Sequence, residues 1–156
     1  MQVIQKILVA VDQSDYSLPL VQYAHQLAHN IGAELILINV YNRRDVSTLQ
    51  NAINSYDPKL FADIIKENME LRMKALEDLT EGAKARDTVI DKIVRIGVPY
   101  QELLEVIEEK KPDLLIMGTK GRSNLADTIV GSCAQKMYRR SPIPMLSLRW
   151  KDVSST

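Results

Sequence analysis

The 156 residues suit one compact domain, and 46% hydrophobic with 26% charged residues excludes the disordered, collagen-like and disulfide-scaffold classes. Twenty Lys and Arg balance twenty Asp and Glu, so no general electrostatic grip on nucleic acid or an anionic membrane is expected. Cys133 is the single cysteine, the N-terminus has no signal-peptide pattern, and no apolar run is long enough to span a bilayer, so the expectation is a cytoplasmic protein that engages neither membrane nor nucleic acid.

Lys6-Ile7-Leu8-Val9-Ala10-Val11 is apolar at consecutive positions, which predicts a strand covered on both faces. After Asp12-Gln13-Ser14-Asp15, Leu20, Val21, Ala24, Leu27, Ala28 and Ile31 recur at helical spacing, predicting a helix over 15–31 that Gly32 stops. Glu34 to Val40 reads as a second strand. Residues 41–57 are polar and end in Asp57-Pro58, and predict a mobile surface loop longer than most connections. From Lys59 to about Arg86, Phe61, Ile64, Ile65, Met69, Met73, Leu76 and Leu79 form one apolar stripe, a long amphipathic helix. Val89 to Ile96 alternates as an edge strand would, and Gly97-Val98-Pro99 leads into a helix carrying Leu103, Leu104 and Ile107. Leu114 to Met117 is a buried-type strand, followed by a glycine-bearing loop, a helix from Ser132, a last strand over Ile143 to Leu148 and a frayed tail at 151–156.

Five alternations of strand and helix predict a single domain over 1–150, a three-layer α/β/α sandwich on a five-stranded parallel sheet with right-handed crossovers. Ligands of such sheets bind beyond the carboxyl ends of the strands, near the reversal of strand order. The stretch Gly118-Thr119-Lys120-Gly121-Arg122 through Gly131-Ser132 follows the fourth strand and joins glycines, which permit close backbone approach, to two cations, so phosphate is the expected guest. Ser132-Cys133-Ala134-Gln135 has the form of a capping box, aiming a helix N-terminus at that loop.

The spacing Gly118, two residues, Gly121, nine residues, Gly131, Ser132 resembles the ATP-binding branch of the universal stress protein family. So do Ile7 to Asp12, Gly32-Ala33-Glu34-Leu35, Gly97-Val98-Pro99, Asp113 to Gly118 and Ser141 to Leu146, which together span nearly the whole chain. The resemblance implies the adenine nucleotide alpha hydrolase-like fold with strand order 3-2-1-4-5. It implies that Gly118, Gly121, Gly131 and Ser132 hold the triphosphate of ATP, Asp12 the ribose hydroxyls, and backbone around Ala10 and Val40 the adenine, with Mg2+ bridging the phosphates. Met117, Lys120, Arg122 and Cys133 complete the candidate site. It also implies a homodimer through the last strand. The chain departs from the pattern at Gln13, where Gly is common, at Lys120, where other residues such as His or Arg occur, and at Cys133, where Val is usual. A carboxylate just past a strand can accept both ribose hydroxyl protons, and Asp12 can equally cap the first helix.

Other chemistries have less in their favour. No nucleophile-base pair and no acid-base pair of fixed spacing stands out, so the expectation is a nucleotide-binding regulatory protein with no catalytic residue, slow ATP hydrolysis staying open. The alternative is a nucleotide-independent homodimeric scaffold for protein partners. A receiver domain needs an acidic phosphoacceptor where Arg95-Ile96-Gly97 ends the third strand; the P-loop and dinucleotide glycine patterns are absent. His25 and His29 stand four apart without the glutamate of a zinc-protease helix, and read as a solvated face. Cys133, near basic residues in a first helical turn, is either a lowered-pKa redox sensor or a small buried apolar residue.

Overall fold

A computed structural model describes residues 3–53, 57–119 and 131–150. In chain order the elements are β1 (Lys6–Ala10), α1 (Ser17–Ile31), β2 (Glu34–Asn42), α2 (Arg43–Ile53), α3 (Pro58–Gly82), β3 (Ile90–Gly97), α4 (Pro99–Lys110), β4 (Leu114–Gly118), α5 (Ser132–Arg140) and β5 (Met145–Leu148). The strands form one sheet in the order β3-β2-β1-β4-β5, and every pairing is parallel.

Side chains alternate across the pleat, so each strand feeds two cores. Ile7, Val9, Leu35, Leu37 and Ile116 face α1 and α3, where Val21, Ala24, Ala28 and Leu76 meet them. Leu8, Ile36, Ile38, Leu115 and Met117 face α4 and α5, where Leu103, Val106, Ile107 and Met137 meet them. The edge strand β3 is tied to α4 by Arg95, which donates to Glu109 and lies 3.7 Å from both Glu102 and Glu105. The hydrogen bond from Arg95 holds the Glu109 carboxyl below its usual range, whereas burial lifts that of Glu102.

The ends of the helices follow from local chemistry. Gly32 closes α1 in the left-handed region, at φ 72°, and its N–H donates to the Ala28 carbonyl. Asp57 Oδ1 accepts from the Leu60 N–H and Pro58 opens α3.

Several sequence-based expectations are corrected. Residues 41–57 contain no long loop over their first part: β2 continues to Asn42 and α2 follows at once. Asn42 Oδ1 accepts from the Arg44 N–H, and Val46, Leu49 and Ile53 then recur on one face. No residue of α2 is buried, so the helix leaves little hydrophobic trace. The last strand starts at Met145 because Ser141 turns the chain through both the carbonyl and the N–H of Ile143. Helix α5 is capped by Gly131 and not by a Ser132 capping box: the Gly131 carbonyl accepts from the Gln135 N–H, and Ser132 is already helical. Of the α3 stripe, Leu76 alone is fully buried. Leu76→Ala should cost about 2–5 kcal/mol in chemical denaturation, while Leu71→Ala, on the exposed face, should stay within about 0.5 kcal/mol.

Candidate functional site

Beyond the carboxyl ends of β1, β2 and β4 lies a cavity of about 400 Å3, within the range of small-molecule sites. It opens where the chain leaves β1 toward β2 on one side and returns beside β1 as β4 on the other, so the two following segments part. Ala10, Asp12, Val40, Met117, Gly118, Gly131, Ser132 and Cys133 all line it. Lys120, Gly121 and Arg122, with the rest of the 120–130 segment, lie outside the described residues.

Asp12 stands at the mouth of β1 and carries a local duty. Its Oδ1 accepts from the Ser14 N–H at 3.1 Å, the Ser14 hydroxyl at 2.6 Å and the Ser17 hydroxyl at 3.1 Å. The turn into α1 is built on that carboxylate, while Tyr16, at the helix N-cap, makes no side-chain capping bond. Asp12 thus organises the turn ahead of the helix and lines the cavity.

Across the cavity, the N-terminus of α5 presents Gly131, Ser132 and Cys133 to the same space. The first N–H groups of a helix lack intrahelical partners, and the positive end of its dipole favours an anion there. Thr119 fixes the approach: it is buried, its N–H donates to the Leu148 carbonyl, and its carbonyl accepts from the Gly131 N–H.

Residues that sequence reasoning passed over also line the cavity. Arg44 and Asp45 reach it from α2, Pro99 and Leu103 from α4, Arg72 from α3, and Trp150 from beyond β5. Trp150 Nε1 is shielded from solvent and has no hydrogen-bond partner among the described residues. Their sequence signal was weak: α2 read as loop, and a charge on a long amphipathic helix ordinarily marks its wet side.

The remaining candidates separate cleanly. His29 is exposed and His25 half-buried, their ring centroids 6.1 Å apart, and the described residues hold no group of three or more His, Cys, Asp and Glu able to ligate a metal. None of the described helices is long and apolar enough to cross a membrane. Burial pushes the Cys133 thiol up to about 11, against a smaller opposing pull from Lys136. A thiol raised by burial runs against a lowered-pKa redox sensor and favours the small buried residue. Alkylation of Cys133 should be far slower than that of free cysteine at pH 7–8 and accelerate as pH rises toward 11; a rate matching free cysteine would contradict this placement.

The chain matches the sequence model of the universal stress protein family over residues 4–149. The universal stress protein YxiE of Bacillus subtilis is 32% identical over 145 residues, which cover 92% of this chain and 98% of that one. Among solved structures, that of MJ0577, a universal stress protein of Methanocaldococcus jannaschii, shares the fold with a TM-score of 0.81 at 20% identity, covering 97% of this chain and 99% of that one. A universal stress protein crystallised in complex with cAMP is 28% identical with a TM-score of 0.64, covering 95% and 98% of the two chains. With its five-stranded sheet in the order β3-β2-β1-β4-β5 and a match along almost its whole length, this chain belongs to the universal stress protein family.

Proposed function

We propose that this protein binds an adenine nucleotide, ATP with Mg2+, in the cavity beyond β1, β2 and β4, and acts as a nucleotide-responsive regulatory protein. The observation that carries this reading is that Asp12, Val40 and the N-terminus of α5 open into one cavity, so a single molecule would meet all three. The α5 N–H groups at Ser132 and Cys133, with Gly118, would hold phosphate oxygens, joined by Lys120, Gly121 and Arg122, while Gly131, its N–H taken by the Thr119 carbonyl, would give the phosphate room at the cap. Asp12 would accept from the ribose hydroxyls through Oδ2, Oδ1 being taken up with Ser14 and Ser17. Adenine would lie against Ala10, Val40 and Met117. The adenine nucleotide held by a structural relative, cAMP, supports the ligand class.

The residues present fit Mg2+ in one way: with few carboxylates at hand, the ion would be held mainly by phosphate oxygens and water, as this cation commonly is. It would neutralise phosphate charge. Binding is the activity assigned, with slow ATP hydrolysis left open.

Trp150 is the chain's single tryptophan and lines the cavity, so its fluorescence reports on occupancy. Titration of nucleotide-stripped protein with ATP and Mg2+ should give a saturable fluorescence change matched by calorimetric heat. Gly131→Val, placing a branched side chain at the α5 cap, should weaken binding by roughly tenfold or more. Neither signal up to millimolar ATP would overturn the reading in favour of a nucleotide-independent scaffold.

The proposal includes self-association. β5 pairs with β4 alone among the described strands, leaving an open edge at Met145–Leu148 to which a second copy can add. Sedimentation should show a dimer at micromolar concentration; monomer alone would refute it.

A further inference from the structure

Arg72 is the one charged side chain among the described residues that is buried, at 8% exposure. It lies one turn before Leu76 on α3, at a position where an amphipathic helix facing a sheet ordinarily carries an apolar residue. Desolvating a guanidinium is costly, and replacing buried ionic groups by apolar residues of similar volume often leaves proteins as stable or more so. Its surroundings offset that cost in a specific way. Arg72 Nη1 donates to Asn39 Oδ1 at 2.7 Å, and its Cζ sits 4.2 Å from the ring centroid of Tyr41. Asn39 is itself buried, and its Nδ2 donates to the Val11 carbonyl at 2.8 Å. The relay therefore runs from α3 through β2 to the residue that precedes Asp12.

The relay ends at the cavity wall and not in a sealed core. Val11, Asp12, Asn39 and Arg72 all line the cavity described above, and Arg72 also borders a smaller adjoining one, which shares Gln13 and Asp45 with it. We infer that Arg72 is a positioning residue of this pocket. Through Asn39 it orients the Val11 carbonyl and the backbone leading into Asp12, and it serves ligand affinity rather than the stability of the fold. The inference rests on the nucleotide reading. Methionine fills a similar volume but supplies no donor to Asn39. Lysine keeps the charge but loses the planar fork that hydrogen-bonds Asn39 while stacking on Tyr41.

The test compares wild type, Arg72→Met and Arg72→Lys by thermal unfolding without nucleotide and by ATP-Mg2+ titration read at Trp150. The expected result is that Arg72→Met unfolds at the wild-type temperature or above it while ATP binding weakens about tenfold or more, and that lysine does not restore it. Combining Arg72→Met with Asn39→Ala should lose little beyond the larger single effect, because both cut one relay. Wild-type affinity in either Arg72 variant overturns the inference, as do additive losses. Failure of Arg72→Met to fold, or a loss of stability matching its loss of affinity, assigns Arg72 to the fold and overturns it likewise. Absence of binding by wild type instead sinks the nucleotide reading, and this inference with it.

Discussion

Parallel pairing of β1 with β2 on one side and with β4 on the other is the constraint from which the molecule's shape follows. Parallel neighbours need crossovers long enough to return the chain to the same end of the sheet, and the helices in them cover both faces. The central strands have both faces covered, by α1 and α3 on one side and by α4 and α5 on the other, so their ends are where a pocket can open. Because the connections from β1 and β4 set out on opposite courses, a space opens between them, and the cavity occupies it.

At those ends the polar groups are put to structural use before any ligand is considered. Asp12 gathers the Ser14 N–H with the hydroxyls of Ser14 and Ser17, Thr119 joins β5 to the cap of α5, and Asn39 joins α3 to the end of β1. Each such contact holds a loop that would otherwise have only solvent as partner. Low-dielectric surroundings strengthen these bonds and raise the cost of leaving any one unmade. The rim is thereby preorganised, which lowers the ordering cost that a bound molecule would otherwise meet.

The parts that were legible in sequence are those in which burial dictates residue type. Ile7 to Val9 and Leu114 to Met117 are apolar without interruption because both their faces are covered. Of the spaced glycines, Gly118 and Gly131 border the cavity, and Gly121 lies outside the described residues. Where a segment's structure depends on contacts rather than on its own composition, the signal faded. α2 buries nothing, so Val46, Leu49 and Ile53 were diluted by polar neighbours. Arg72 was hidden for the converse reason: a charge among the glutamates and lysines of α3 looks like solvated surface, and only the packing against Tyr41 and Asn39 reveals that it points inward. Helix α5 starts at Ser132 as expected, but its cap is Gly131, because a Ser-x-x-Gln pattern does not distinguish a cap from a first turn that glycine already precedes.

The same strand order sets a schedule for the chain as it leaves the ribosome. β1 and β2 emerge early and can pair, but β4 lies about a hundred residues downstream of its neighbour β1, and the α5 cap follows later still. Until then one edge of β1 is bare, with Ile7 to Val9 lacking the cover that β4 and α5 help to supply. A chain paused midway lacks the completed cavity, and its open apolar strand is a target for chaperones or for another unfinished copy. The cavity walls are thus completed only when β4 and α5 join strands made about a hundred residues earlier.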